Sequence, residues 1–170
     1  MINEDRDNPS WSSFLIDFDL AIREDRDRAP GAKGKTGTRA FMAIGTLLGE
    51  QHTFMHDLES FFWVLFWICI HYNANGKDIG PTGFDNWNFE SDDELAEKKK
   101  GVIADEEDFI KKADKHFTSH YRPMTPWVNR LRREVFPSNQ RWKRPEPKLY
   151  SSMKSILHDA QKDPDVLADG

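Results

Sequence analysis

Ten consecutive apolar residues, Phe61 to Ile70, follow the acidic turn Asp57-Leu58-Glu59-Ser60, and this stretch constrains the fold more than any other. Apolar side chains fall on every side of a helix of that sequence. The pattern predicts a central helix over 57–72, buried all round and ended by Asn73, Asn75 and Gly76. The run is shorter than the roughly 20 residues needed to cross a bilayer's hydrocarbon core, so it reads as the core helix of a domain with no membrane association. With 170 residues, 6 Trp and 12 Phe, the chain has enough large apolar side chains for one packed domain.

Short helices are expected around this core. Ser91-Asp92-Asp93-Glu94 is a capping box opening a polar helix that ends at Gly101. Asp105 to His116 starts with acids and ends with bases, the order the helix dipole favours. Thr125 as N-cap, with Pro126 at the first helical position, opens a helix running to Phe136. Leu149, Met153, Ile156, Leu157 and Ala160 share one face of a last helix, and Asp163 to Gly170 reads as a frayed tail. Near the start, Phe14 to Phe18 is a short strand, and Arg23 to Gly37 is a polar loop without periodicity. The fold class is therefore mainly α, with a short β element at the N-terminus.

Charge and cysteine usage narrow the function. A net charge of −5 gives no global field for nucleic acid, and the basic residues Arg130, Arg132, Arg133, Arg141, Lys143 and Arg144 read as structural or solvated. Cys69 is the single cysteine, which excludes an internal disulfide and suits the cytoplasm or nucleus. The polar, acidic first residues carry no secretory signal. His116 and His120 read as solvent-facing at a helix end. Asp17, at a strand end before a polar loop, is either a metal ligand or a cap on backbone amides. Lys33, Lys35 and Arg39 surround Thr36 and Thr38, making either threonine a candidate modification site.

Three ordered motifs carry a resemblance. Leu15-Ile16-Asp17-Phe18-Asp19-Leu20-Ala21, Gly37-Thr38-Arg39-Ala40-Phe41-Met42-Ala43-Ile44 and His56-Asp57-Leu58-Glu59-Ser60-Phe61-Phe62 together resemble the fungal-type protein kinase family, and the likeness extends through Trp127 to Arg133 and Arg141 to Lys143. It implies a protein-kinase-like C-terminal lobe over 1–162, with a metal-site motif at 15–21, an activation segment at 17–45 and a tail at 163–170. By this resemblance Asp17 holds Mg²⁺ against the ATP phosphates, and Thr36, Thr38 and Arg39 belong to the activation and substrate segment. Asp57 and Glu59 are structural anchors, Asp57 through the catalytic-loop backbone.

The sequence departs from the family pattern in two places. Asp19 stands where the metal-site motif has Gly, and Ala43-Ile44-Gly45 stands where an Ala-Pro-Glu is usual, with Glu50 the candidate to replace that Glu. The Gly-rich loop, the strand Lys and the His-Arg-Asp loop with its catalytic Asp are not found in these residues, so the domain is expected to be incomplete. Its parent activity would be ATP-dependent phosphoryl transfer to protein Ser or Thr; this chain alone would be inactive and bind ATP and Mg²⁺ unproductively. The rival expectation is a non-catalytic, pseudokinase-like module that binds a protein partner through its basic surface.

Overall fold

The computed structural model describes residues 38–168. The chain divides into two units, residues 1–36 and 37–170, and the described residues lie in the second. The β element, the metal-site motif, Asp17 and Thr36 lie outside the described residues.

The described unit is mainly helical and has no sheet; its one isolated bridge pairs Tyr72 with Asp78. Its helices are α1 (Ile44–Leu47), α2 (Phe54–His71), α3 (Asp92–Ile103), α4 (Glu106–His116), α5 (Thr125–Val135), α6 (Leu149–Ala160) and α7 (Pro164–Leu167). A 3₁₀ turn over Arg39–Phe41 precedes α1. None of the described helices is long and apolar enough to cross a membrane.

The aromatic core forms along one side of α2. Phe62, Trp63 and Phe66 meet Phe109 of α4, Phe136 beyond α5, and Phe84 and Trp87 of the loop before α3, with ring centroids 5.4–6.3 Å apart. Each large side chain buried here contributes roughly 1.5–3 kcal/mol before entropy is subtracted. The expectation of burial all round needs correction: Phe61 is 47% exposed, and Val64, Leu65 and Ile68 are half-buried. The described rings converge on the Phe62–Trp63–Phe66 side, so an all-apolar helix sequence overstated how much of its surface the fold covers.

Helix ends follow from local chemistry. α2 starts three residues before the expected Asp57, because the Thr53 N–H donates to His56 Nδ1 at 3.1 Å and closes the first turn from outside it. At the other end, Thr118 covers two carbonyls that the helix leaves open, donating from N–H to Cys69 O at 2.9 Å and from Oγ1 to Tyr72 O at 2.8 Å. Ser91 and Glu94 form the expected capping box, but α3 runs past Gly101 to Ile103. Burying Val102 and Ile103 offsets the roughly 1 kcal/mol that a mid-helix glycine costs.

Asp105 caps α4, accepting from the Asp108 N–H at 3.0 Å. Thr125 is not an N-cap: it is already helical, because a 3₁₀ turn over Arg122–Met124 feeds directly into α5 and Met124 takes the cap position. Nor is the tail wholly frayed. Asp163 caps α7 and accepts from Trp127 Nε1 at 2.7 Å, tying this segment to α5. α5 itself packs against α2, α4 and α6, so it lies at the centre of the second half of the chain.

Candidate functional site

Residues 38–50 cross the surfaces of α2 and α3, held by side chains of those helices, by Arg141 and by backbone bonds of their own. Thr38 is exposed and opens the 3₁₀ turn, its carbonyl accepting from the Phe41 N–H at 2.9 Å. Arg39 pairs with Asp92 at 2.7 Å and donates to the Glu90 carbonyl at the start of α3. Phe41 meets Trp67 of α2 edge to face at 5.7 Å.

Two buried charges then hold the backbone. Glu59 Oε1 accepts from the Ile44 N–H at 2.6 Å and from Trp63 Nε1 at 3.1 Å. The Lys99 side chain, 0% exposed on α3, donates from Nζ to the Met42 carbonyl at 2.5 Å and lies over the Trp63 and Trp87 rings at 4.6 and 5.4 Å. Burial drives the Lys99 ammonium down to about 7, opposed by the attraction of Glu59. The same burial pushes the Glu59 carboxyl up, opposed by the Ile44 and Trp63 bonds and by the charge of Lys99. Met42 to Ile44 is thus clamped between one helix that supplies an acceptor and another that supplies a donor.

A second anchor lies where the chain turns after α1. Gly49, at φ +79°, lets the Glu50 N–H return to the Gly45 carbonyl at 2.9 Å while its own N–H bonds the Thr46 carbonyl, the double closure that ends a helix on a left-handed residue. Glu50 is thereby folded back over Gly45 and pairs with Arg141 at 2.6 Å, with His56 Nε2 at 3.5 Å. The hydrogen bond from Arg141 lowers the Glu50 pKa. Because His56 Nδ1 accepts from Thr53, its neutral ring carries the proton on Nε2, which faces Glu50.

Only glycine fits at position 45. A Cβ there would lie 2.3 Å from His56 Nε2, 2.6 Å from Glu50 Oε2 and 2.9 Å from Arg141 Nη1. Gly45→Ala is expected to push the Glu50–Arg141 pair apart and destabilise the fold by about 1–3 kcal/mol. Urea unfolding checks this; a loss under about 0.5 kcal/mol would mean that the three side chains move aside freely.

The remaining sequence-derived candidates are less enclosed. Asp57 is exposed on the first turn of α2 and pairs with His52 at 3.1 Å. His116 is half-buried against the Phe84 ring at 5.2 Å instead of facing solvent, and this burial lowers its pKa. Arg132 is no surface residue either: it is 0% exposed, and its guanidinium bonds Asn129, Asn139, Glu106 and the Ile103 carbonyl. No group of three His, Cys, Asp or Glu among the described residues is placed to hold a metal ion. Lys99 was missed by the sequence reading because Glu97-Lys98-Lys99-Lys100 looks like a solvated run. The signal was the helical register of Leu95, Ala96 and Val102, which puts Lys99 on the buried face.

The class defined so far is a helical unit whose N-terminal segment is clamped across its central helix. Residues 1–69 match the model of one family, fungal protein kinase, and over those residues the chain is similar to that family, which supports a kinase-related function. No curated protein and no solved structure matches the chain.

Proposed function

We propose that this chain is part of a fungal-type Ser/Thr protein kinase domain whose activity is ATP-dependent phosphoryl transfer to a protein hydroxyl. The observation that carries the reading is the clamp of Glu59 and Lys99 on Met42 to Ile44, inside the stretch that resembles the family. Phosphoryl transfer is catalysed mainly by positioning and electrostatics, so a segment that meets a substrate gains from being fixed on rigid helices.

In this reading Thr36, Thr38 and Arg39 belong to the activation and substrate segment, and Glu59 holds the segment behind them, with Asp57 as a second anchor. Asp17 is the residue that would hold Mg²⁺, and ATP with Mg²⁺ would supply the transferred group and neutralise its charge. The described residues offer no metal site, so no metal-dependent step is assigned to them. With no His-Arg-Asp motif among its 170 residues, the chain alone is expected not to turn over. A cytoplasmic or nuclear location goes with this activity and with the reduced, buried Cys69.

The test is radiolabelled ATP with a Ser/Thr peptide library, applied to this chain and to the product of the full reading frame of the native transcript. Transfer is expected from the latter only. Asp17→Asn should lower it by about a hundredfold or more without moving the melting point. Unchanged transfer in that variant removes Asp17 from the mechanism, and no transfer by the full product removes the enzyme reading. A second reading, a non-catalytic module that binds a protein partner, is favoured by one observation: a basic groove beside Trp142.

A further inference from the structure

Between the C-terminal end of α3 and the segment after α5 runs an open groove of about 620 Å³, within the range of ligand-binding clefts. Ile103 and Ala104 lie on one side of it, and Asn139, Gln140, Arg141, Trp142 and Lys143 on the other. Lys100, Arg141 and Lys143 are cationic against the single acid Glu50, so the groove is locally positive on a chain whose net charge is −5. Glu50 is already engaged by Arg141, and among the described residues Lys100 is held only by Glu97 at 2.7 Å, in an exposed pair of the kind worth little in water. Lys143 has no acidic partner among the described residues.

The wall of the groove is fixed in place. Ser138 and Asn139 both have positive φ, 53° and 60°, a conformation that non-glycine residues hold only when their surroundings enforce it. The turn is closed by the Asn139 and Gln140 N–H groups on the Phe136 and Pro137 carbonyls, and the fully buried Arg132 holds the Asn139 side chain, its Nη1 donating to Asn139 Oδ1 at 2.6 Å and to the Ile103 carbonyl at 3.1 Å. These bonds engage the Asn139 oxygen and one carbonyl at the negative end of α3. Trp142 is held by its Nε1 donating to the Glu134 carbonyl at 3.0 Å and remains 37% exposed. Positive charge outweighs negative along a groove with an apolar side and a fixed aromatic ring.

We infer that this groove binds an acidic segment of a partner protein, its carboxylates meeting Lys100, Lys143 and the side-chain amides of Asn139 and Gln140, and its apolar atoms lying against Trp142. This rests on the second reading above, of a protein-binding surface, and does not depend on phosphoryl transfer. Nucleic acid is the less favoured occupant, because one exposed ring, Trp142, gives no stacking platform for successive bases.

The experiment is fluorescence anisotropy of the purified chain with a labelled octapeptide of alternating Glu and Ala, its Gln/Ala counterpart, and a single-stranded RNA octamer. Saturable, salt-sensitive binding of the Glu peptide is expected. It should weaken about tenfold or more in Lys100→Glu/Lys143→Glu and stay unchanged in Lys111→Glu, a charge reversal on α4 outside the groove. Equal binding of the Glu peptide by the double variant overturns the inference, as does tighter binding of the RNA. If the Gln peptide binds as well as the Glu peptide and the double variant weakens both, acid recognition is refuted while the binding-module reading stands. If neither peptide binds, both are refuted.

Discussion

Lys99→Met is expected to destabilise the described unit by about 3–5 kcal/mol, the largest effect of any single substitution on this surface of α3. Methionine fills much of the same space, so the loss is not a packing defect. Removing the ammonium strands the Met42 carbonyl without its donor and leaves the Glu59 carboxyl buried opposite no cation. Lys99→Met/Glu59→Gln should lose less than the sum of the single losses, since Gln still accepts from Ile44 and carries no charge to bury.

The pair also has a pH signature. Native Lys99 releases its proton at about 7, whereas the unfolded chain keeps it to about 10.5. Between these values the unfolded state binds more protons, so stability rises as pH rises from 7; below 7 both states are protonated and Lys99 contributes no slope. Glu59, its native pKa raised, gives the opposite slope above 4.5 until its native carboxyl ionises. Thermal melts between pH 7 and 8.5 should therefore climb in Glu59→Gln, where the opposing slope is gone, and stay flat in the double variant. That window stops short of 9, above which the buried Cys69 thiol, pushed up to about 12, adds a falling contribution of its own. A flat Glu59→Gln profile would mean that Lys99 titrates as an ordinary surface lysine.

Arg132→Met should cost about 2–4 kcal/mol. Its guanidinium donates to Asn129 Oδ1 at 2.9 Å, the Ile103 carbonyl at 3.1 Å, Asn139 Oδ1 at 2.6 Å and Glu106 Oε2 at 3.2 Å, joining α5 to the end of α3 and the start of α4. Glu106 is partly exposed and rehydrates when its partner goes, which keeps the loss below that of a sealed ion pair. The buried Ile103 carbonyl has no such recourse. Arg132→Lys should recover less than half of the loss, because a single ammonium cannot reach four acceptors spread around a planar fork. Urea unfolding of the two variants decides this; full recovery by lysine would show that charge alone matters at this position.

Both residues mark the boundary of what the sequence made legible. Helix positions were readable wherever local chemistry decides them: the Ser91–Glu94 box, the Asp105 start and the Leu149–Ala160 face all appear in the structure. The end of α3, the start of α5 and the Asp163 cap were misread because each depends on a neighbour in space or on a preceding turn. The burial of Lys99 and Arg132 was hidden for a related reason: runs of like charge suggest a solvated face, and only helical register against a known core shows which member of the run points inward. Glu50 was visible as the candidate to replace the Glu of the Ala-Pro-Glu, but that it would pair with Arg141, 91 residues later, depends on the tertiary fold.

The clamp on Met42 to Ile44 is the central claim, and amide hydrogen exchange at Ile44 tests it most directly. Its N–H faces the buried Glu59 carboxylate, so in the intact chain it should exchange as slowly as the core amides of α2, through global unfolding only. Exchange at the rate of an open loop amide would contradict the clamp and, with it, the physical basis for reading this segment as a fixed substrate-facing element.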